Sequence, residues 1–436
     1  MKTKILFYFL LLSFSFCLLS CDTNDPPPGN GNKETITISV EDSSPTEVWL
    51  KLTGKTDGEF TVERNNEEVK RITLTGTDNI IYDDSLQPST TYTYQVSSIK
   101  NQVSSNEVTF TTMDTTSHNF TWQTYTFGGQ GGSSALYDVA IINGNDIWAV
   151  GEIYTADDKY NAVHWDGSSW ELKKIMFYID PDQPIAGKIS SSCESIFVFG
   201  DNDFIVSSNV QIARFSNDNE YDLIYEDFEW IERFTMNSIW GISSTDFYVV
   251  GNGGNIARFY GSSWLKIESG TSADIKDIYG INKSVSGNKI LAVASSTGNT
   301  RILTINPNMA MDTLDWPINN ILVGIWLNDK STYVSGLGIW KNKDNRWEEV
   351  TGTERFYTRV KGSGSNNIFG VGSSSDGIIH YNGSSWKVIE EVPAGWGFFS
   401  LDVKEDIVVA VGASSSGSVI GDAVVFMGKQ IQKKIQ

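Results

Sequence analysis

Histidine and cysteine are scarce in this 436-residue chain, with three of each. His118, His164 and His380 lie far apart, and Cys17, Cys21 and Cys193 leave no two thiols for a disulfide in the region beyond residue 30. Thiolate-imidazole zinc sites and Cys-His nucleophile pairs therefore have no sequence motif here. Cys193, just ahead of the apolar run 196–199, reads as a small buried residue. No D-x-D-x-D-G run occurs, which argues against calcium loops. Gly128-Gly129-Gln130-Gly131-Gly132 lacks the helix and Lys of a phosphate cradle. No metal and no cofactor are expected. Base is also in short supply, 33 Lys and Arg against 53 Asp and Glu for a net charge of −20, which argues against nucleic acid as a partner. Only residues 5–19 form a long apolar run, and that run is shorter than a membrane span.

The run sits where a secretory signal would, behind Lys2 and Lys4, and ends in Leu18-Leu19-Ser20-Cys21. This junction resembles the lipobox of bacterial lipoproteins. The resemblance implies that residues 1–20 are removed and that the thiol of Cys21 is acylated, making the lipid bilayer a partner through that residue. The expected location is the bacterial cell envelope at the outer membrane, with the periplasmic or surface side left open. Cleavage takes away two lysines and no acid, leaving a net charge near −22. Residues 21–33, with Pro26, Pro27 and Pro28 running into Gly29-Asn30-Gly31, read as the anchor and an extended tether.

Residues 34–113 alternate polar and apolar side chains in short runs, as an antiparallel sandwich requires. Leu86-Gln87-Pro88-Ser89-Thr90-Thr91-Tyr92 resembles the L-x-P-x-T-x-Y signature of fibronectin type III domains, an Ig-like fold. That resemblance makes Tyr92 a corner tyrosine with its hydroxyl on nearby backbone, puts Trp49 in the core, and implies a spacer.

From 119 to 429 a pattern recurs, clearest in IWGISSTDFYVVGNGGNIARFYGSSW at 239–264 and echoed at 144–170 and 365–386. Three apolar runs separated by turn residues, repeating at about 40–45 residues, indicate a β-propeller. The pattern also resembles the WG-x-S-x-x-D repeats of secreted bacterial propellers. We count blades at 136–175, 188–225, 236–267, 274–314, 321–350, 358–389 and 397–427, with six or eight left possible by the irregular second and fourth. The seventh stops early, ahead of a polar tail at 430–436, and residues 119–126 carry the missing outer-strand pattern, so they are expected to close the last blade. Trp122, Trp170, Trp264, Trp347 and Trp386 should anchor outer strands. Gly151, Gly200, Gly251, Gly336, Gly372 and Gly412 should close second strands, with Asp146 and Asp246 bonding turn backbone ahead of them.

For a site, Trp240, Tyr279 and Trp326 match in the first strands of neighbouring blades, with Ala140, Ile189, Lys361 and Ser400 there in the rest. Such an arc would suit stacking on sugars, although packing between blades needs the same residues. His164, Arg214, Arg258 and His380 share a third-strand position, which reads as a solvated face, with Leu303, Trp340 and Val425 there in others. Acidic loops at 180–182 and 226–230 offer carboxylates, but no nucleophile, base and orienter stand in recognisable spacing. Asp166-Gly167-Ser168-Ser169-Trp170 resembles the Asp-box turn of sialidases, a structural turn. The expectation is a lipid-anchored, non-catalytic binding platform for glycans or an envelope protein. A carbohydrate-active hydrolase or lyase on the ring face and a passive scaffold are the alternatives.

Overall fold

The computed structural model describes residues 35–431 apart from 101, 130–131, 181–182, 210, 217–220, 225–234, 283–287, 315, 319, 344–345, 373–376, 391 and 417–418. The signal, Cys21, the tether, the acidic loop 226–230 and most of the tail thus lie outside the described residues.

The first unit pairs a sheet of Thr37–Ser43, Val48–Thr53 and Asp78–Asp83 with one of Glu67–Leu74, Gly58–Arg64, Thr91–Ser98 and Val108–Thr111. Alternation puts Val48, Leu50, Leu52, Phe60, Val62, Tyr94 and Val96 in one core between them. The hydroxyl of Tyr92 accepts the Gln87 N–H at 2.9 Å. Trp49 departs from expectation. Its neighbours Val48 and Leu50 take the inward positions, so period-two geometry turns the indole to the opposite face, 5.5 Å from the Tyr82 ring.

Beyond residue 119 the described strands form seven four-stranded antiparallel sheets. The first strand of each packs on the first strand of the next, and that of the last packs on that of the first, so the sheets close into a ring around a central channel. Apolar side chains fill every joint between sheets, as with Leu136, Ile147, Val163, Val409 and Val425 between the last and the first. The last sheet runs Trp396–Lys404, Ile407–Ser416, Val419–Gln430 and then Phe120–Gly128, an outer strand supplied from ahead of the ring. Trp122, Trp170, Trp264, Trp347 and Trp386 are all half-buried on these joint cores.

The second sheet differs from the sequence reading. Its strands are Ser195–Gly200, Asp203–Ser208, Gln211–Ser216 and Tyr221–Ile224, so Gly200 ends a first strand, and Phe197, not Ile189, matches Trp240. Lys188–Ile189 pairs instead with Phe177–Tyr178 in a separate two-stranded ladder. Registers elsewhere place Asp402 at that first-strand position in place of Ser400, and Thr304, Lys341 and Met427 at the third-strand position in place of Leu303, Trp340 and Val425.

The sandwich is docked on the ring. Lys341 Nζ donates to both carboxylate oxygens of Glu47 at 2.7 and 2.9 Å, and the Tyr82 hydroxyl donates to the same group at 2.7 Å. Asn366 Nδ2 donates to the Asp114 carbonyl at 2.9 Å, and the Thr116 N–H to the Asn382 carbonyl at 3.0 Å.

Candidate functional site: the central channel and the cleft beneath the sandwich

The third-strand polar residues have defined partners, which corrects the solvated-face reading. His164 bonds Asp146 at 2.9 Å, Arg214 Asp203 at 3.4 Å, Arg258 Asp246 at 2.8 and 2.9 Å, and His380 Asn367 at 3.0 Å. Each pair clips the start of a second strand to the third strand beside it. Asp146 and Asp246 therefore bond side chains rather than turn backbone. Cys193 is fully buried in an apolar joint, and burial holds its thiol pKa well above the ordinary value, so it is no nucleophile.

Trp240 and Trp326 are also joint residues, 5% and 3% exposed. A Cβ on Gly280 would lie 2.6 Å from the Trp240 ring, and one on Gly362 would lie 3.0 Å from that of Trp326. Each indole thus lies across a glycine of the following sheet. The stacking arc is not presented to solvent. The apolar area of each indole is spent on closing the ring, and only an edge of Trp326 reaches the wall of the cleft beneath the sandwich. Tyr279 is half-buried and takes a different place, at the channel.

The channel holds a cavity of about 310 Å³ lined by the inner strands. Three carboxylates face it, each fastened to neighbouring sheets. Asp138 accepts the Ser400 hydroxyl at 2.7 Å and the Ser195 hydroxyl and Ile196 N–H at 3.0 Å. Asp277 accepts the Ser238 hydroxyl at 2.8 Å, the Ile278 N–H at 3.0 Å and the Ile325 N–H at 2.9 Å, and pairs with Arg359 at 2.7 Å. Asp402 accepts the Ile141 N–H at 2.8 Å and the Val403 N–H at 2.9 Å. Burial raises the Asp402 pKa, opposed by the Lys361 charge. Charges withdrawn from water need partners, and here strands of adjacent blades supply them.

Two lysines complete the lining. Lys404 Nζ donates to the Ile142 carbonyl at 2.7 Å. Lys361 Nζ stands 5.0 Å over the Tyr279 ring. Toward the sandwich, Tyr279 and Gly362 also line a wider cleft of about 610 Å³, whose walls include Asp42, Ser43 and Met113 of the sandwich side and Asn282, Asn328 and Ser363 of the ring. Channel and cleft thus meet at Tyr279. Sequence reasoning placed Tyr279 and Lys361 at one register without giving Lys361 a role, and it missed Asp138, Asp277 and Arg359, whose shared register carries serine or glycine in other sheets and so shows no clear repeat.

On the opposite face, Tyr137 and Tyr154 donate to Glu152 at 3.0 and 3.1 Å, and burial pushes the nearby Glu194 carboxyl up to about 7.

An all-β ring of four-stranded sheets around a channel is a β-propeller. No family model matches the sequence, and neither does any curated protein. Among solved structures, the chain is similar to YCF48 bound to D1 peptide, with 14% identity, a TM-score of 0.52, and coverage of 71% of this chain and 97% of that one. It is similar to YCF48 from Cyanidioschyzon merolae, with 13% identity, a TM-score of 0.50 and coverage of 70% and 98%. It is also similar to the WD40 β-propeller domain of Doa1, with 13% identity, a TM-score of 0.52 and coverage of 71% and 97%. At this identity the likeness carries the fold alone.

Proposed function

We propose that the mature protein is a lipid-anchored, extracytoplasmic binding platform, in which a seven-bladed ring and a fibronectin type III-like sandwich together receive an envelope component, a glycan or a polypeptide segment, in the cleft and leave it chemically unchanged. The Leu18-Leu19-Ser20-Cys21 junction supports the anchor, and the Tyr92 hydroxyl on the Gln87 backbone supports the sandwich type. One observation carries the non-catalytic part. The carboxylates that face the channel are all committed to backbone N–H groups, serine hydroxyls or Arg359 of adjoining strands. A general acid or base must be able to exchange its proton with a ligand, and these groups are tied into the ring. Retention of envelope glycan and peptide fractions on the immobilised mature protein, with mass analysis of what is recovered, tests this. Retained ligand of unchanged mass is expected.

Glu194 favours a second reading. A carboxyl with a pKa near 7 beside Glu152 suits a proton donor at neutral pH, as a hydrolase or lyase on the opposite face would need. That reading requires product release that disappears in Glu194→Gln.

A further inference from the structure

Among the described residues, Lys361 is the one channel cation whose hydrogens have no acceptor. Arg359 is neutralised by Asp277, and Lys404 is bound to a carbonyl. The Lys361 ammonium has three donors, and among the described residues it makes no hydrogen bond and no close ion pair; it meets the Tyr279 ring and feels the Asp402 carboxylate at longer range. It is half-buried, where such donors are costly to leave unfilled, and it stands where the channel cavity meets the cleft.

We propose that the cavity binds a small ligand through one carboxylate, received by Lys361 at the Tyr279 mouth. This rests on the cleft being the binding side of the ring.

Three observations select the ligand class. A cation would meet the Lys361 ammonium at the same mouth, while Asp138 and Asp402 are held in place by neutral donors fixed in adjacent strands. A dianion such as phosphate would set two charges against one free ammonium, with the Asp402 carboxylate close enough to act on that same lysine. A single carboxylate sets one negative charge against that ammonium and so meets less repulsion from Asp402 than a dianion would. The cavity of about 310 Å³ holds a group the size of one sugar or one amino acid, so the acid is a residue-sized molecule. Tyr279 offers such a ligand an apolar wall beside the ammonium.

Calorimetric titration of the mature protein with glucuronate, N-acetylalanine, glucose and inorganic phosphate tests the proposal, alongside Lys361→Gln and Lys361→Arg. Glucuronate or N-acetylalanine should bind, with glucose and phosphate at least tenfold weaker. Lys361→Gln should lose at least tenfold in affinity for the bound acid and Lys361→Arg should keep most of it, with unchanged far-ultraviolet dichroism in both. Preference for glucuronate would name a sugar acid as the source, and preference for N-acetylalanine a chain terminus. Equal binding of glucose, unchanged affinity in Lys361→Gln, or no binding of either acid would overturn the proposal. If neither acid binds while envelope fractions are still retained at the cleft, the carboxylate assignment falls and the binding-platform reading stands.

Discussion

The indole of Trp240 lies across Gly280 of the next sheet, so that even a methyl group on Gly280 would stand 2.6 Å from the ring. The same relation joins Trp326 to Gly362. At these two joints one sheet contributes the indole and the next sheet the glycine that makes room for it. Gly280→Ala should destabilise the protein by about 1–3 kcal/mol through overpacking, and Trp240→Ala by about 3–5 kcal/mol through the cavity it leaves. Urea unfolding followed by tryptophan fluorescence measures both. A loss of glycan binding without a loss of stability in Trp240→Ala would show the indole to be a ligand platform after all.

The sandwich and ring should behave as one body. Glu47 is 9% exposed and carries two hydrogen bonds from Lys341. Removing one partner of a buried pair leaves the other uncompensated, at about 3–5 kcal/mol. Glu47→Leu should therefore weaken docking strongly, and the double variant Glu47→Leu with Lys341→Met should recover much of it. Small-angle scattering reports the separation, and a single cooperative melt in the native chain should split in Glu47→Leu.

Acid should loosen the same region. Nδ1 of His118, in the segment that joins sandwich to ring, stands 2.9 Å from Nδ1 of His380, and His118 Nε2 stands 3.2 Å from the Ser385 hydroxyl. Burial and the facing imidazole lower the His380 pKa to about 3, and burial and Lys387 lower that of His118. The folded state prefers both rings neutral, so this stability is whole above the unfolded value of about 6.5 and is lost progressively as pH falls toward 3. His380 alone should account for roughly 2 kcal/mol between pH 7 and pH 5. Denaturant midpoints across that range should fall less steeply in His380→Gln. An equal slope would mean that the pair does not titrate against folding.

Anchoring depends on one sulfur. Cys21→Ala should abolish incorporation of a palmitate analogue and release the protein from membranes, because the thiol is the attachment point. Label retained in the variant would remove the lipid anchor from the account.

The blade pattern was legible because it is repeated: the outer-strand tryptophans and the strand-closing glycines each state one structural need several times, and against that repeat the early stop of the last copy stood out. The channel was not legible. Asp138, Asp277, Arg359 and Lys361 meet only once the ring closes, and His118 finds His380 across 262 positions. Trp49 misled because alternation fixes which residues share a face but leaves open which face is inward. The second sheet misled because residues 177–189 carry their own short ladder ahead of it, and the repeat was begun too early.

Binding without turnover at the cleft is the central claim, and one paired measurement addresses it most directly. Envelope glycan and peptide fractions are passed over the immobilised mature protein and over Asn282→Trp, whose exposed position lets an indole fill the cleft without entering a blade core. Recovered ligand is then weighed by mass spectrometry. The account predicts a ligand retained by the native protein, recovered with its mass unchanged, and lost from the variant by at least tenfold. Cleaved ligand, or equal retention by Asn282→Trp, would contradict it.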